Sequence, residues 1–171
     1  MSSILKVSEI QNTSGGTTNF VGRKPAFCSA YIAGGDTGGI ISANTWTLAP
    51  LNATYFDNYS GFNTSTYRYV IPHDGTYAIN GSVDMRHNAG SGASNQFYIG
   101  FFINGSEVTA LEKDGNGNYD WTMAFSHFLE KSFSQGDYIE LKGLCSVGSG
   151  MTNYRFRGGR TQLTVRELIG V

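Results

Sequence analysis

Between residues 114 and 120 the chain reads Asp-Gly-Asn-Gly-Asn-Tyr-Asp, which sets oxygen-bearing side chains at alternate positions: Asp114, Asn116, Asn118 and Asp120. Calcium is a hard cation that gathers carboxylate and amide oxygens from short loops, so the spacing makes this a candidate calcium site and calcium the one candidate cofactor. The match is partial, because the glycine at position six and the distal bidentate Glu of an EF-hand are both missing. A polar hairpin loop, with Asn and Gly serving turn geometry, is the competing reading. Tyr119 and Trp121 beside it form a candidate sugar-binding platform, since an aromatic face packs on pyranose C–H groups while nearby amides bond hydroxyls. Trp121 as a core residue is the alternative there.

Catalytic constellations are missing. A nucleophilic serine needs His and Asp partners, yet His73, His87 and His127 fall in a turn, at a strand end and in mid-strand, with no nucleophile-elbow motif beside them. His127 shares its parity with Met123 and Phe125, which reads as a core or interface imidazole satisfied by a hydrogen bond. Gly34-Gly35-Asp36-Thr37-Gly38-Gly39 is glycine-rich but lacks the Lys and following helix of a phosphate cradle, so it reads as a loop. Cys28 and Cys145 are too few for a disulfide framework and lack zinc-ligand spacing, and two buried thiols are preferred to a disulfide. The expectation is a protein that is not an enzyme.

Charge narrows the partners. Only 15% of residues are charged and the net charge is −1, so there is no basic field for a phosphate backbone, and nucleic acid is not expected. No stretch of eighteen apolar residues occurs and Met1 to Val7 lacks the pattern of a secretion signal, so neither membrane insertion nor export is expected. Six Asn-x-Ser/Thr sequons, at Asn12, Asn52, Asn58, Asn63, Asn80 and Asn104, then read as a by-product of Asn- and Thr-rich composition.

The elements that would carry these residues are strands. The 171 residues suit one domain, and 23 Gly, 3 Pro, 10 Tyr and 11 Phe favour short strands and tight turns over helices. From Thr76 to Arg86 the parity is strict, with Tyr77, Ile79, Gly81, Val83 and Met85 on one face. Tyr67 to Ile71 is a second strand, and Pro72-His73-Asp74-Gly75 between the two makes them either antiparallel neighbours or members of opposite sheets. Gln96 to Ile103 is almost continuously apolar and ends at Asn104-Gly105, a strong hairpin signal, which predicts a central strand covered on both faces. Trp121 to Phe133, Tyr138 to Cys145 and Arg160 to Val165 follow, the last expected to pair with a first strand over Ala26 to Ile32. At least eight strands and no amphipathic helix leave a sandwich, jelly roll or barrel.

Residues 1 to 24 differ. Ile4, Val7 and Ile10 recur every three residues and a polar stretch from Asn12 to Asn19 follows, which reads as a docking element and linker or as a partly ordered terminus.

The order of several short motifs carries a resemblance. Pro25 to Tyr31 (PAFCSAY), Tyr55-Phe56-Asp57, Tyr67 to Tyr77 (YRYVIPHDGTY), Phe102-Ile103-Asn104-Gly105, Gly136 to Leu141 (GDYIEL) and Phe156 with Gly158 or Gly159 resemble, in sequence, the C1q/TNF-like globular domain. The resemblance covers residues 25 to 171 approximately and implies an all-β, two-sheet antiparallel jelly-roll sandwich of ten strands. It also implies a homotrimer with loops at one end open to ligands. No collagen-like stalk accompanies it, and a Gly/Ser/Asn-rich insertion runs from Asn88 to Asn95. The opening Ser3 to Asn12 is similar to the starts of small virion and tail-fibre proteins of phages of marine cyanobacteria. Together these imply a virion structural protein of tail-fibre or surface-decoration type, assembled in the host cytoplasm. Its N-terminal segment would hold other virion proteins, and its trimeric domain would recognise a host-surface glycan or protein. A bacterial adhesin or lectin, and a purely structural capsid or tail joint, are the alternatives.

Overall fold

The computed structural model describes residues 24–35, 39–87, 93–117, 121–146 and 154–168, and every helix or strand element among them is a strand. The short ones are β1 (Phe27–Tyr31), β2 (Ile40–Ile41), β3 (Thr47–Leu48), β4 (Ala53–Asp57), β5 (Phe62–Asn63) and β6 (Arg68–Val70). The long ones are β7 (Gly75–His87), β8 (Ala93–Ile103), β9 (Ser106–Gly117), β10 (Trp121–Phe133) and β11 (Tyr138–Ser146). β12 (Tyr154–Phe156) and β13 (Gln162–Leu168) complete the set. The number exceeds ten because β2, β3 and β5 are two-residue pieces that flank longer strands.

Two antiparallel sheets result. The first runs β2-β12-β7-β13-β1-β4 with β10 on the other edge of β7, and the second runs β5-β6-β11-β8-β9 with β3 beside β11. β6 and β7 therefore belong to opposite sheets, so the Pro72 to Asp74 segment is a crossing between sheets rather than a hairpin. β13 does pair with β1, from Phe27 opposite Arg166 to Tyr31 opposite Gln162. β8 lies between β11 and β9 as its apolar run predicts, and it starts at Ala93, inside the stretch read as an insertion. The two-residue turn that follows has positive φ at both Asn104 (52°) and Gly105 (82°), the backbone twist that a tight hairpin requires.

The core forms where the inward parities meet. Tyr77, Ile79, Val83 and Met85 of β7 face Phe97, Ile99 and Phe101 of β8 and Ile139 and Leu141 of β11, all buried. Two glycines make this contact close. A Cβ on Gly81 would stand 2.7 Å from Leu141 Cδ1 and 2.8 Å from Phe101 Cε1, while one on Gly143 would stand 2.5 Å from Met85 Cε. Each sheet thus offers a glycine gap to large side chains of the other. Gly143→Val should destabilise the protein by about 1–3 kcal/mol through overpacking. Gly35→Ala, where an added Cβ meets nothing within 4 Å, should stay within about 0.5 kcal/mol of the parent in urea unfolding at fixed protein concentration.

Candidate functional site

The outer face of the second sheet carries a groove. Along β8 the outward parity is Tyr98, Gly100 and Phe102, and across the β8–β9 ladder these stand opposite Glu112, Ala110 and Glu107. Trp46 is brought over this face by the segment before β3. Its backbone is pinned by Asn44 N–H donating to Cys145 O (2.8 Å) and Ala49 N–H donating to Leu141 O (2.9 Å). The indole lies so near the strand that a Cβ on Gly100 would be 3.0 Å from its Cη2. Glycine in a strand interior commonly marks such a close approach. Trp46 meets Tyr98 and Phe102 edge-on, at centroid distances of 6.2 and 5.3 Å. Asn44, Leu144 and Ser146 complete a cavity of about 470 Å³ with the two carboxylates on its β9 side.

Charge is unevenly compensated around it. Glu140, 2% exposed although it lies on the outward parity, receives Arg68 Nε at 2.7 Å and Lys142 Nζ at 3.1 Å. Those cations also sit over rings, Arg68 over Tyr138 at 4.4 Å and Lys142 over Phe102 at 4.1 Å. Glu107 and Glu112, by contrast, form no ion pair with another described residue.

The outer face of the first sheet is different in kind. Phe56, Ser29, Thr164, Asn80 and Phe128 fall in register across β4, β1, β13, β7 and β10. The middle of the face is polar and mixed in size, with Ser29, Ala78, Ser82, Ser126 and Thr164 interspersed with the exposed Asn80, Gln162 and Arg166. One border is aromatic: Tyr31 stacks on Tyr55 at 3.9 Å and Phe27 meets Phe56 at 5.1 Å. A register shift between Ser29 and Ala30 in the β1–β4 pair brings consecutive Tyr55 and Phe56 onto this border, and they are 63% and 49% exposed. Phe128, 53% exposed, marks the other border.

No protein-family model and no curated protein matches the sequence. Solved structures do match in shape. The globular domain of zebrafish complement 1qA superposes with a TM-score of 0.59 at 11% identity, covering 85% of this chain and 98% of that one. The Eiger TNF from S. frugiperda gives 0.58 at 9% identity, covering 85% and 95%. The fold is a C1q/TNF-like jelly roll. At these identities the likeness is one of fold alone.

The motifs that carry the C1q/TNF-like resemblance turn out to be joints. Asp57 accepts from the backbone N–H groups of Tyr59 (3.3 Å), Gly61 (3.2 Å) and Phe62 (2.8 Å), closing the turn after β4. Tyr77 donates its hydroxyl to His73 O at 2.9 Å, tying the sheet-crossing segment to β7. Asn104 Nδ2 donates to Asp137 at 2.8 Å and Tyr138 N–H donates to Asn104 at 3.0 Å, so two motifs distant in sequence close on each other. The bond from Asn104 and another from Ser134 N–H hold the Asp137 carboxyl below its usual range.

The candidate calcium set lies partly outside the described residues. Asp114 and Asn116 run into the extended end of β9, opposite Gln96 and Ser94, whereas Asn118, Tyr119 and Asp120 lie outside the described residues. Trp121 opens β10 opposite His87. Ile4, Val7 and Ile10 also lie outside the described residues. No group of three His, Cys, Asp or Glu able to hold a metal occurs among the described residues. Cys28 and Cys145 are buried free thiols, and burial pushes Cys28 up to about 12 and raises Cys145 as well, which keeps both protonated and unreactive. Reasoning from sequence did not single out Trp46, Glu107 or Glu112. The usable signal was Gly100, a glycine set within the most apolar strand.

His127 bridges the sheets. Its ring stacks on Phe101 at 5.3 Å, and its Nε2 is 2.9 Å from Thr109 Oγ1 on β9. Desolvation lowers its pKa below the ordinary 6.5. The unfolded chain therefore binds a proton more readily, and stability declines as pH falls through 6.5 toward the lower folded value. Thermal scans from pH 7.5 to 5 should show a steeper loss in the parent than in His127→Gln, which cannot titrate; parallel curves would remove the effect.

Proposed function

We propose that the chain is a non-enzymatic recognition module of a virion, of tail-fibre or surface-decoration type, that works as a homotrimer. The observation that carries the assembly is the outer face of the first sheet, polar in the middle with aromatic side chains exposed at its borders, Tyr55 and Phe56 on one and Phe128 on the other. Clustered exposed aromatic surface of this kind marks protein contacts. A border of exposed rings on one copy can pack on the mixed polar middle of the same face on a second copy, and a contact between unlike patches closes into a ring when the rotation allows. The C1q/TNF-like fold supports a domain of trimeric type, and the occupant of this face is a second copy of the chain. The reading needs no cofactor, nucleic acid or membrane insertion.

Light scattering should give about three times 18.5 kDa. A parent that is monomeric at micromolar concentration would overturn the trimer. Tyr55→Ser with Phe56→Ser removes the exposed border while leaving the core untouched, so it should yield a folded monomer with unchanged near-ultraviolet circular dichroism. An unshifted trimer would place the interface elsewhere.

Attachment to the particle rests on the first two dozen residues, where Ile4, Val7 and Ile10 need a surface to cover them. Removing residues 1 to 19 should leave the trimer intact but abolish incorporation into virions. Undiminished incorporation would refute the anchor, and a host range unaffected by loss of the whole domain would refute recognition in favour of a joint.

A further inference from the structure

We propose that the groove beside Trp46 on the second sheet binds a neutral pyranose unit of a glycan. The inference deepens the recognition reading and rests on it. It assigns the ligand to residues of β8, β9, β11 and the segment before β3, away from the aromatic-edged face of the first sheet.

Pyranoses present two kinds of surface, a patch of C–H groups and a rim of hydroxyls. A protein matches the first with aromatic faces and the second with carboxylates and amides. Both are here. Trp46, Tyr98 and Leu144 are half-buried apolar groups on one side of the cavity, and Glu107 and Glu112 are exposed carboxylates on the other. An ionised carboxylate only accepts, so it suits hydroxyl donors, while the Asn44 amide and Ser146 hydroxyl both donate and accept. The volume of about 470 Å³ holds one or two sugar rings and lies within the range of small-ligand sites.

The charge decides which sugars. Glu107 and Glu112 have no cationic partner among the described residues, so the groove repels carboxylated, sulfated or phosphorylated sugars. Lys142, the cation over the Phe102 ring, is committed to Glu140. An ammonium ligand would satisfy the carboxylates but leave the Ser146 hydroxyl donor unanswered. The aromatic seat is built into the strand itself, because any side chain at position 100 would push the indole away.

Saturation-transfer NMR tests this with methyl α-glucoside, methyl α-mannoside, methyl β-galactoside and N-acetylglucosamine as neutral probes, sialyllactose as the anionic one and choline as the ammonium. At least one neutral probe should receive transfer at its ring protons, and sialyllactose and choline should not. Trp46→Ala should weaken that binding about tenfold. Glu107→Gln with Glu112→Gln, which preserves shape and should keep the fold, should weaken it by a similar factor. Absence of binding by all four neutral probes, binding of choline or sialyllactose alone, or unchanged affinity in either variant would overturn the proposal. Sizing the same samples separates it from the assembly: a trimer that binds no sugar sinks the groove, whereas a monomer that binds one sinks the trimer.

Discussion

Gly81 and Gly143 face large side chains of the opposite sheet at distances that leave no room for a Cβ. Stacked sheets sit roughly 10 Å apart, a gap that residues from both inner faces must fill without voids. In this sandwich the gap is filled by reciprocal intrusion: Phe101 and Leu141 enter over Gly81, while Met85 and Phe156 enter over Gly143. A shift of one residue in either β7 or β11 would put a side chain where each glycine now stands and turn the apolar parity outward. Register is therefore fixed from the middle of the core. Everything displayed on the outside follows from it, because the residues free to form a groove or a contact face are those left on the outward parity.

That dependence explains which parts of the molecule could be read from sequence. Where one face is buried and the other solvated, parity is a local signal, so β7 from Tyr77 to Met85, β10 and β13 were legible at once, as was the Asn104-Gly105 hairpin. β9 was not singled out, since its Ser-Glu-Val-Thr-Ala-Leu-Glu-Lys run is mostly solvent-exposed and carries little apolar contrast. The groove was illegible for the same reason and one more. Its residues lie at 44 to 46, 98, 107 to 112 and 144 to 146, and only the β3–β11 and β8–β9 pairings bring them to one place. The alternation of oxygens at Asp114 and Asn116 is compatible with a strand end as well as with a loop, and both residues belong to β9.

The motifs behind the C1q/TNF-like resemblance belong to a third category. Asp57, Tyr77, Asn104 and Asp137 are each engaged in turn and crossing hydrogen bonds rather than in either outward surface. They specify how the chain is routed between sheets. A likeness of fold at 11% and 9% identity leaves the surfaces free to diverge, so what the outward faces do must be argued from this chain's own residues.

Two buried carboxylates connect the routing to the surfaces. Glu140 lies in the second sheet opposite Phe102, and Asp84 lies in the first sheet opposite Ala124, both on the outward parity and both at 2% exposure or less. Such a charge is costly away from water unless cations cover it. Arg68 and Lys142 cover Glu140, and Arg157 and Arg160 approach Asp84 at 3.8 and 3.5 Å. Thr161 Oγ1 accepts from Asp84 N–H (3.2 Å), and Arg157 N–H donates to Asp84 O (2.7 Å), so the turn before β13 is folded down onto β7. Removing one partner would strand a charge in low dielectric, which makes each cluster a clamp on the segment above it. Because Lys142 is held between Glu140 and Phe102, the ring against which Trp46 packs is fixed on its other flank. The groove therefore inherits its rigidity from an ion pair, and its unspent negative charge from the two β9 carboxylates that no clamp uses.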